Sequence, residues 1–141
     1  MAIIHPYIHF NGNAEKAFTF YQSVFGGDFS KLMRYKDLGG TQYPISETDA
    51  NRLMHIALPL AKNSMLLGSD TMEMMGKVTE NDNRNAIFLA AENREEADRL
   101  FSKLSVDGSV EMPMADGPFG NYFGMLTDQF GVEWMISFEA N

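Results

Sequence analysis

The stretch IIHPYIHFNGNAEKAFTFYQSVFGG (Ile3–Gly27) changes its hydrophobic period at the midpoint. Up to Phe10 it alternates and is rich in aromatic and β-branched residues, the pattern of a strand. Asn11-Gly12-Asn13 interrupts it, and Asn13 is a favourable N-cap. Beyond the break, Ala14, Ala17, Phe18, Tyr21, Val24 and Phe25 recur on one helical stripe, and Gly26-Gly27 supplies a stop. Strand, capped helix and glycine stop thus follow one another within a single short segment.

Working outward, the same order returns later. NAIFLAA (Asn85–Ala91) reads as a strand. Asn93 caps a helix, Glu96 completes a capping-box-like pattern, and Ala97, Leu100, Phe101 and Leu104 form its apolar stripe. At an offset of about 80, Asn13 matches Asn93, Glu15 matches Glu95, Ala17 matches Ala97, Tyr21 matches Phe101 and Val24 matches Leu104. Three strands follow each helix. In the first half they are FSKLMRY (29–35), RLMHIALPL (52–60) and SMLLGS (64–69); in the second, GSVEMPM (108–114), YFGMLT (122–127) and VEWMISF (132–138). The polar segment 36–51 reads as a long loop or flap. The segment 70–84 reads as the connector between halves. The expectation is an α+β fold: two βαβββ modules, residues 1–70 and 85–141, forming a cupped mixed sheet within one domain spanning 1–141. Helices cover one face of each sheet and leave the other concave.

Composition narrows the function. The net charge is −8, from 11 Lys+Arg against 19 Asp+Glu, so nucleic acid is not an expected partner. Cysteine is absent, which removes disulfides, thiolate metal sites and cysteine nucleophiles. No apolar run reaches the roughly 18 residues of a membrane span, and MAIIHPYIHF lacks the features of a signal peptide. The expected setting is cytoplasmic, away from the membrane. The 11 methionines read mainly as adaptable core filler, with a few available to line a pocket for apolar ligands. No phosphate loop or nucleophile elbow is present.

The opening segment, MHIAL (54–58), LLGSD (66–70) and above all FGNYFGMLTDQFGVEWMI (119–136) together resemble the PhnB-like branch of the vicinal oxygen chelate superfamily, which includes glyoxalase I, bleomycin-binding proteins and extradiol dioxygenases. The resemblance covers nearly the whole chain and implies the βαβββ duplication. It also implies a small-molecule ligand and a homodimer. In metal-dependent members, positions on the first and last strands of each module hold a divalent ion. Carried over to this sequence, those positions are His5, Asn85, Leu67 and Met135. Only His5 is an ordinary ligand, and leucine and methionine offer nothing to a hard cation. The resemblance therefore implies the pocket without its metal, and no cofactor is expected. The alternatives are a metal-dependent lyase, transferase or dioxygenase of the same superfamily, with a divalent ion and His5 as one ligand, or a metal-independent enzyme using a histidine base. PhnB-like proteins are often labelled as ubiquinone-type methyltransferases, but no nucleotide-type methyl-donor motif occurs here.

Alternation assigns faces to the candidate site residues. Ile4, Ile8 and Phe10 suit the helix layer, which directs His5, Tyr7 and His9 to the opposite face. The plainer reading of His5 is a strand-end histidine bonded to a neighbour. Met54, Ile56 and Leu58 likewise suit the helix layer and send His55 to the other face, where an imidazole is the best available general base. Leu67, Asn85, Phe123 and Met135 complete the expected ligand-binding set. Asp70 reads as a strand-end cap or turn residue. Trp134 should face the helices, while Glu133 either meets solvent at an edge or enters the pocket. Phe119, Tyr122 and Phe123 lie in or beside a Gly-rich loop, which either closes over a ligand or simply turns the chain.

Overall fold

The structure is a computed structural model that describes residues 2–38, 45–61, 63–80 and 84–140. The chain divides into two compact units, Met1–Val78 and Thr79–Asn141. The first contains β1 (Tyr7–Phe10), α1 (Ala14–Phe25), β2 (Lys31–Arg34), a short α2 (Glu47–Ala50), β3 (Leu53–Pro59) and β4 (Met65–Asp70). The second contains β5 (Ile87–Ala90), α3 (Arg94–Leu104), β6 (Ser109–Asp116), β7 (Asn121–Thr127) and β8 (Glu133–Glu139). The sheets have matching orders, β1-β4-β3-β2 and β5-β8-β7-β6, with one parallel pair each, β1 with β4 and β5 with β8. The duplicated βαβββ plan and the α+β class are as the sequence indicates.

The segment expected as one long loop is more ordered than that. Tyr35–Leu38 forms a 3-10 turn and Glu47–Ala50 a helical turn capped by Ser46, whose side chain accepts the Asp49 amide. Residues 39–44 of that segment lie outside the described residues. Polar composition hid these turns because neither is long enough to show a helical period.

In the first unit α1 packs on β3 and β4 through Ala14, Ala17, Phe18, Tyr21 and Val24, all buried. Phe18 meets Phe10 edge-to-face, with ring centroids 6.1 Å apart. It also lies against Gly68, where an added Cβ would come within 2.6 Å of the Phe18 ring and 2.9 Å of the Ile8 carbonyl oxygen. Glycine in mid-strand is what admits the ring. The second unit repeats the device: a Cβ on Gly124 would lie 2.9 Å from Phe101 of α3. Leu126, Trp134 and Ile136 are fully buried on that same side, in keeping with the expectation for Trp134.

The start of α1 departs from expectation. Asn13 makes no side-chain cap. Its place is taken by Asp70 at the end of β4, whose Oδ1 accepts the Gly12 amide at 3.0 Å and the Ala14 amide at 2.8 Å. Oδ2 accepts the Leu53 amide at 2.9 Å, and the Asp70 carbonyl accepts the Tyr35 hydroxyl at 2.7 Å. A buried carboxylate at a helix N-terminus gains from both charge-assisted bonds and the helix dipole. In α3, by contrast, the Asn93 side chain accepts the Glu96 amide at 2.7 Å, and Glu96 reaches back to the Glu92 amide.

Asp70→Ala leaves three amides without an acceptor. It is expected to cost about 3–5 kcal/mol in urea unfolding followed by circular dichroism, with Asp70→Asn losing roughly half as much. Gly68→Ala should cost about 1–3 kcal/mol in the same assay, because ring and backbone both resist the added methyl.

Candidate functional site

The alternation of β1 is realised in three dimensions. Ile8 and Phe10 turn to α1, whereas Tyr7 and His9 project from the other face, Tyr7 with 42% of its surface exposed. Strand register extends this face across the sheet. Tyr7 lies opposite Leu67, Leu67 opposite Ala57, and Ala57 opposite Lys31, forming one row over four strands. In the adjoining row His9 lies opposite Ser69, and His55 opposite Met33. The Tyr7 ring centroid is 5.2 Å from that of His9 and 5.9 Å from that of His55, both tilted. The Ser69 hydroxyl and His9 Nδ1 are 3.4 Å apart.

His55 is half-buried. Burial first, and then the nearby Lys31 ammonium, hold its pKa below the usual imidazole value. The ring is therefore predominantly neutral near physiological pH, able to donate from one nitrogen and accept at the other. His5 is engaged elsewhere. Its Nδ1 accepts the Met65 amide at 3.1 Å, closing the start of β4 and placing the proton of the neutral ring on Nε2.

The remaining expected residues fall in the second unit. Phe88 pairs with Met135, Met125 with Met135, and Phe123 with Ser137, so Phe123, Met135 and their neighbours share the face away from α3. Asn85 lies two residues ahead of β5, in the alternation of Ile87 and Leu89, which pair with buried Trp134 and Ile136. The expected residues thus form two groups: Tyr7, His9, His55 and Leu67 on the first sheet, and Phe123 with Met135 on the second. Lys31 and Ser69 stand outside the set expected from the sequence, although the alternation of their own strands places them beside His55 and His9.

Glu133 is buried rather than at a solvent edge. It pairs with Thr127, whose hydroxyl donates to Glu111. Burial, a hydrogen bond with Glu111 and the Glu111 charge together raise the Glu133 pKa. The Gly-rich loop is a turn, with Gly120 at φ 82° and Phe119 at its tip. A shallow cleft of about 240 Å³ lies beside the Asp128–Gly131 turn, lined by Glu80, Asp107, Thr127 and Phe130 among others, but no imidazole reaches it.

The donor set does not fit a divalent metal. Among the described residues no three His, Asp or Glu side chains converge to hold an ion. Of the four positions carried over from metal-dependent relatives, Leu67 and Met135 lack a hard donor, and one His5 nitrogen is committed to the Met65 amide.

Residues 3–136 match the family described as the Glyoxalase/Bleomycin resistance protein/Dioxygenase superfamily. Protein YjdN of Escherichia coli K12 is 26% identical over 137 residues, covering 95% of this chain and 93% of that protein. Among solved structures, PA1353 of Pseudomonas aeruginosa superposes with a TM-score of 0.83 at 32% identity, covering all of both chains. The PhnB protein of Bacillus cereus, which bears the name of a 3-demethylubiquinone-9 3-methyltransferase, gives a TM-score of 0.75 at 26% identity, over 97% of this chain and 99% of its own.

A carboxyl whose folded pKa is raised stabilises the fold below its unfolded pKa and loses that contribution as pH rises through the folded value. Glu133→Gln should therefore raise the melting temperature at neutral pH, while leaving it nearly unchanged at about pH 4, where wild-type Glu133 is already largely protonated. Calorimetry across that range checks both arms.

Proposed function

Because the chain belongs to the Glyoxalase/Bleomycin resistance protein/Dioxygenase superfamily, and within it to the PhnB-like branch, we propose that it binds a small metabolite on the face of its first sheet that looks away from α1. The ligand is held by aromatic contact and imidazole hydrogen bonds rather than through a divalent ion. The observation that carries this reading is the meeting of Tyr7, His9 and His55 on one half-exposed face. Aromatic rings supply flat contact area, and polar tips fix orientation. This is the binding and sequestering mode of the bleomycin-binding relatives.

The depressed pKa of His55 favours a second reading, a metal-independent enzyme in which that imidazole takes a proton from the bound ligand. Association with a second copy also belongs to the proposal. Strand β6 is an eight-residue sheet edge that is largely exposed, including Val110 and Met112, and such an edge is a template for further pairing.

A metabolite screen by thermal shift, run with and without chelator, is expected to find a ligand whose stabilisation is unaffected by metal removal, reaching about 2.7 kcal/mol at a hundredfold excess over Kd. Tyr7→Ala should abolish it. Stoichiometric metal in the purified protein, whose removal abolishes binding, overturns the proposal. His55→Ala separates the two readings: a binding protein loses part of its affinity and has no turnover to lose, whereas an enzyme loses turnover even at saturating ligand.

A further inference from the structure

Resting on that reading of the first sheet, we infer that the ligand is a small planar anion, an aromatic or conjugated carboxylate, with its charged group between Lys31 and His55. The row Tyr7–Leu67–Ala57–Lys31 runs from a phenol ring over an aliphatic side chain and a methyl to an ammonium. Four neighbouring strands set the Cα atoms at the ends of that row roughly 14 Å apart, so a small ring bearing a carboxylate lies over part of the row, at the Lys31 end, rather than spanning it. Ala57 is the smallest side chain in the row and lies low between its neighbours, only 3% exposed. His55, on the same face of β3, flanks it on one side, and Lys31 flanks it across the sheet.

Charge separates this face from the rest of the molecule. The protein carries 19 Asp+Glu against 11 Lys+Arg. Yet the strand residues facing away from α1 in the first sheet, from Lys31 and Met33 through His55, Ala57, Met65, Leu67 and Ser69 to Tyr7 and His9, include no carboxylate. They present an ammonium, two imidazoles, a hydroxyl and a phenol. A cationic ligand would meet Lys31 and nothing to neutralise it. An anion finds one full charge and several donors around an apolar floor. The second sheet shows the contrast: its face away from α3 carries Glu133, hydrogen-bonded to Glu111.

The test is imidazole-detected NMR with benzoate, its neutral isostere benzamide and benzylammonium as probes, near neutral pH and at constant ionic strength. Benzoate is expected to shift the His9 and His55 signals saturably, and benzamide to bind at least about tenfold more weakly. Benzylammonium should not bind. Lys31→Met should weaken benzoate by about tenfold, while Lys31→Arg largely restores it and unchanged amide spectra show that the fold is intact. Equal binding of benzamide and benzoate, or full benzoate affinity in Lys31→Met, overturns the anion while leaving metabolite binding in place. If none of the three probes moves these imidazoles, the inference fails. If no metabolite from the wider screen moves them either, the reading beneath it fails as well.

Discussion

One buried carboxylate ties together the first unit. Asp70 receives amides from the β1–α1 turn, from the first residue of α1 and from the first residue of β3, and its own carbonyl takes the Tyr35 hydroxyl. Segments far apart in the chain thus share one residue at the end of β4. With β4 fixed against β3 and against the start of α1, β1 adds in parallel, Tyr7 opposite Leu67 and His9 opposite Ser69. A shift of one residue in that pairing would turn Tyr7 and His9 towards α1 and expose Phe10. The aromatic-imidazole cluster is therefore a consequence of register, and register is held by hydrogen bonds at the strand ends.

The two units share a topology and differ in chemistry. Each uses a mid-sheet glycine to admit an aromatic side chain from its helix, Phe18 against Gly68 and Phe101 against Gly124. The faces away from those helices have diverged. The first sheet offers imidazoles, a phenol and an ammonium, while the second offers Phe123, Met125 and Met135 beside the Glu133–Glu111 pair. A fold that elsewhere in the superfamily surrounds a metal here holds soft, neutral or weakly basic groups at the corresponding positions. On the binding proposed for the first sheet, recognition rests on shape, stacking and directional hydrogen bonds, which discriminate well only when the donors are held still. His5, bonded to the Met65 amide, serves that end by holding β4 beside β1.

Much of this was legible in the residues themselves. Alternation in IIHPYIHF separated Ile8 and Phe10 from Tyr7 and His9, and the same argument placed His55 and Trp134, because burying an apolar face constrains every second side chain. What escaped was set by distance along the chain. Asn13 has the chemistry of a cap, but a carboxylate 56 residues beyond Ala14 serves α1 instead. The offset of 80 between the halves holds along the helices and slips along the first strands. Phe10 precedes Asn13 by three residues, whereas its helix-facing counterpart Leu89 precedes Asn93 by four. That extra residue puts Asn85 in step with the buried side of β5, a difference that only strand pairing reveals. For Glu133 alternation alone leaves edge and pocket face both open, since its burial depends on neighbours contributed by other strands.

The lone tryptophan has an optical consequence. Trp134 is wholly buried in the second unit, and its indole N–H is held by Asp128 at 2.8 Å. Four of the five tyrosines, Tyr7, Tyr21, Tyr35 and Tyr43, belong instead to the first half of the chain. Light absorbed by indole alone thus reports on one module, while phenol absorbance reports chiefly on the other. Melting of the two halves can be followed by separate intrinsic signals, with no dye or label attached.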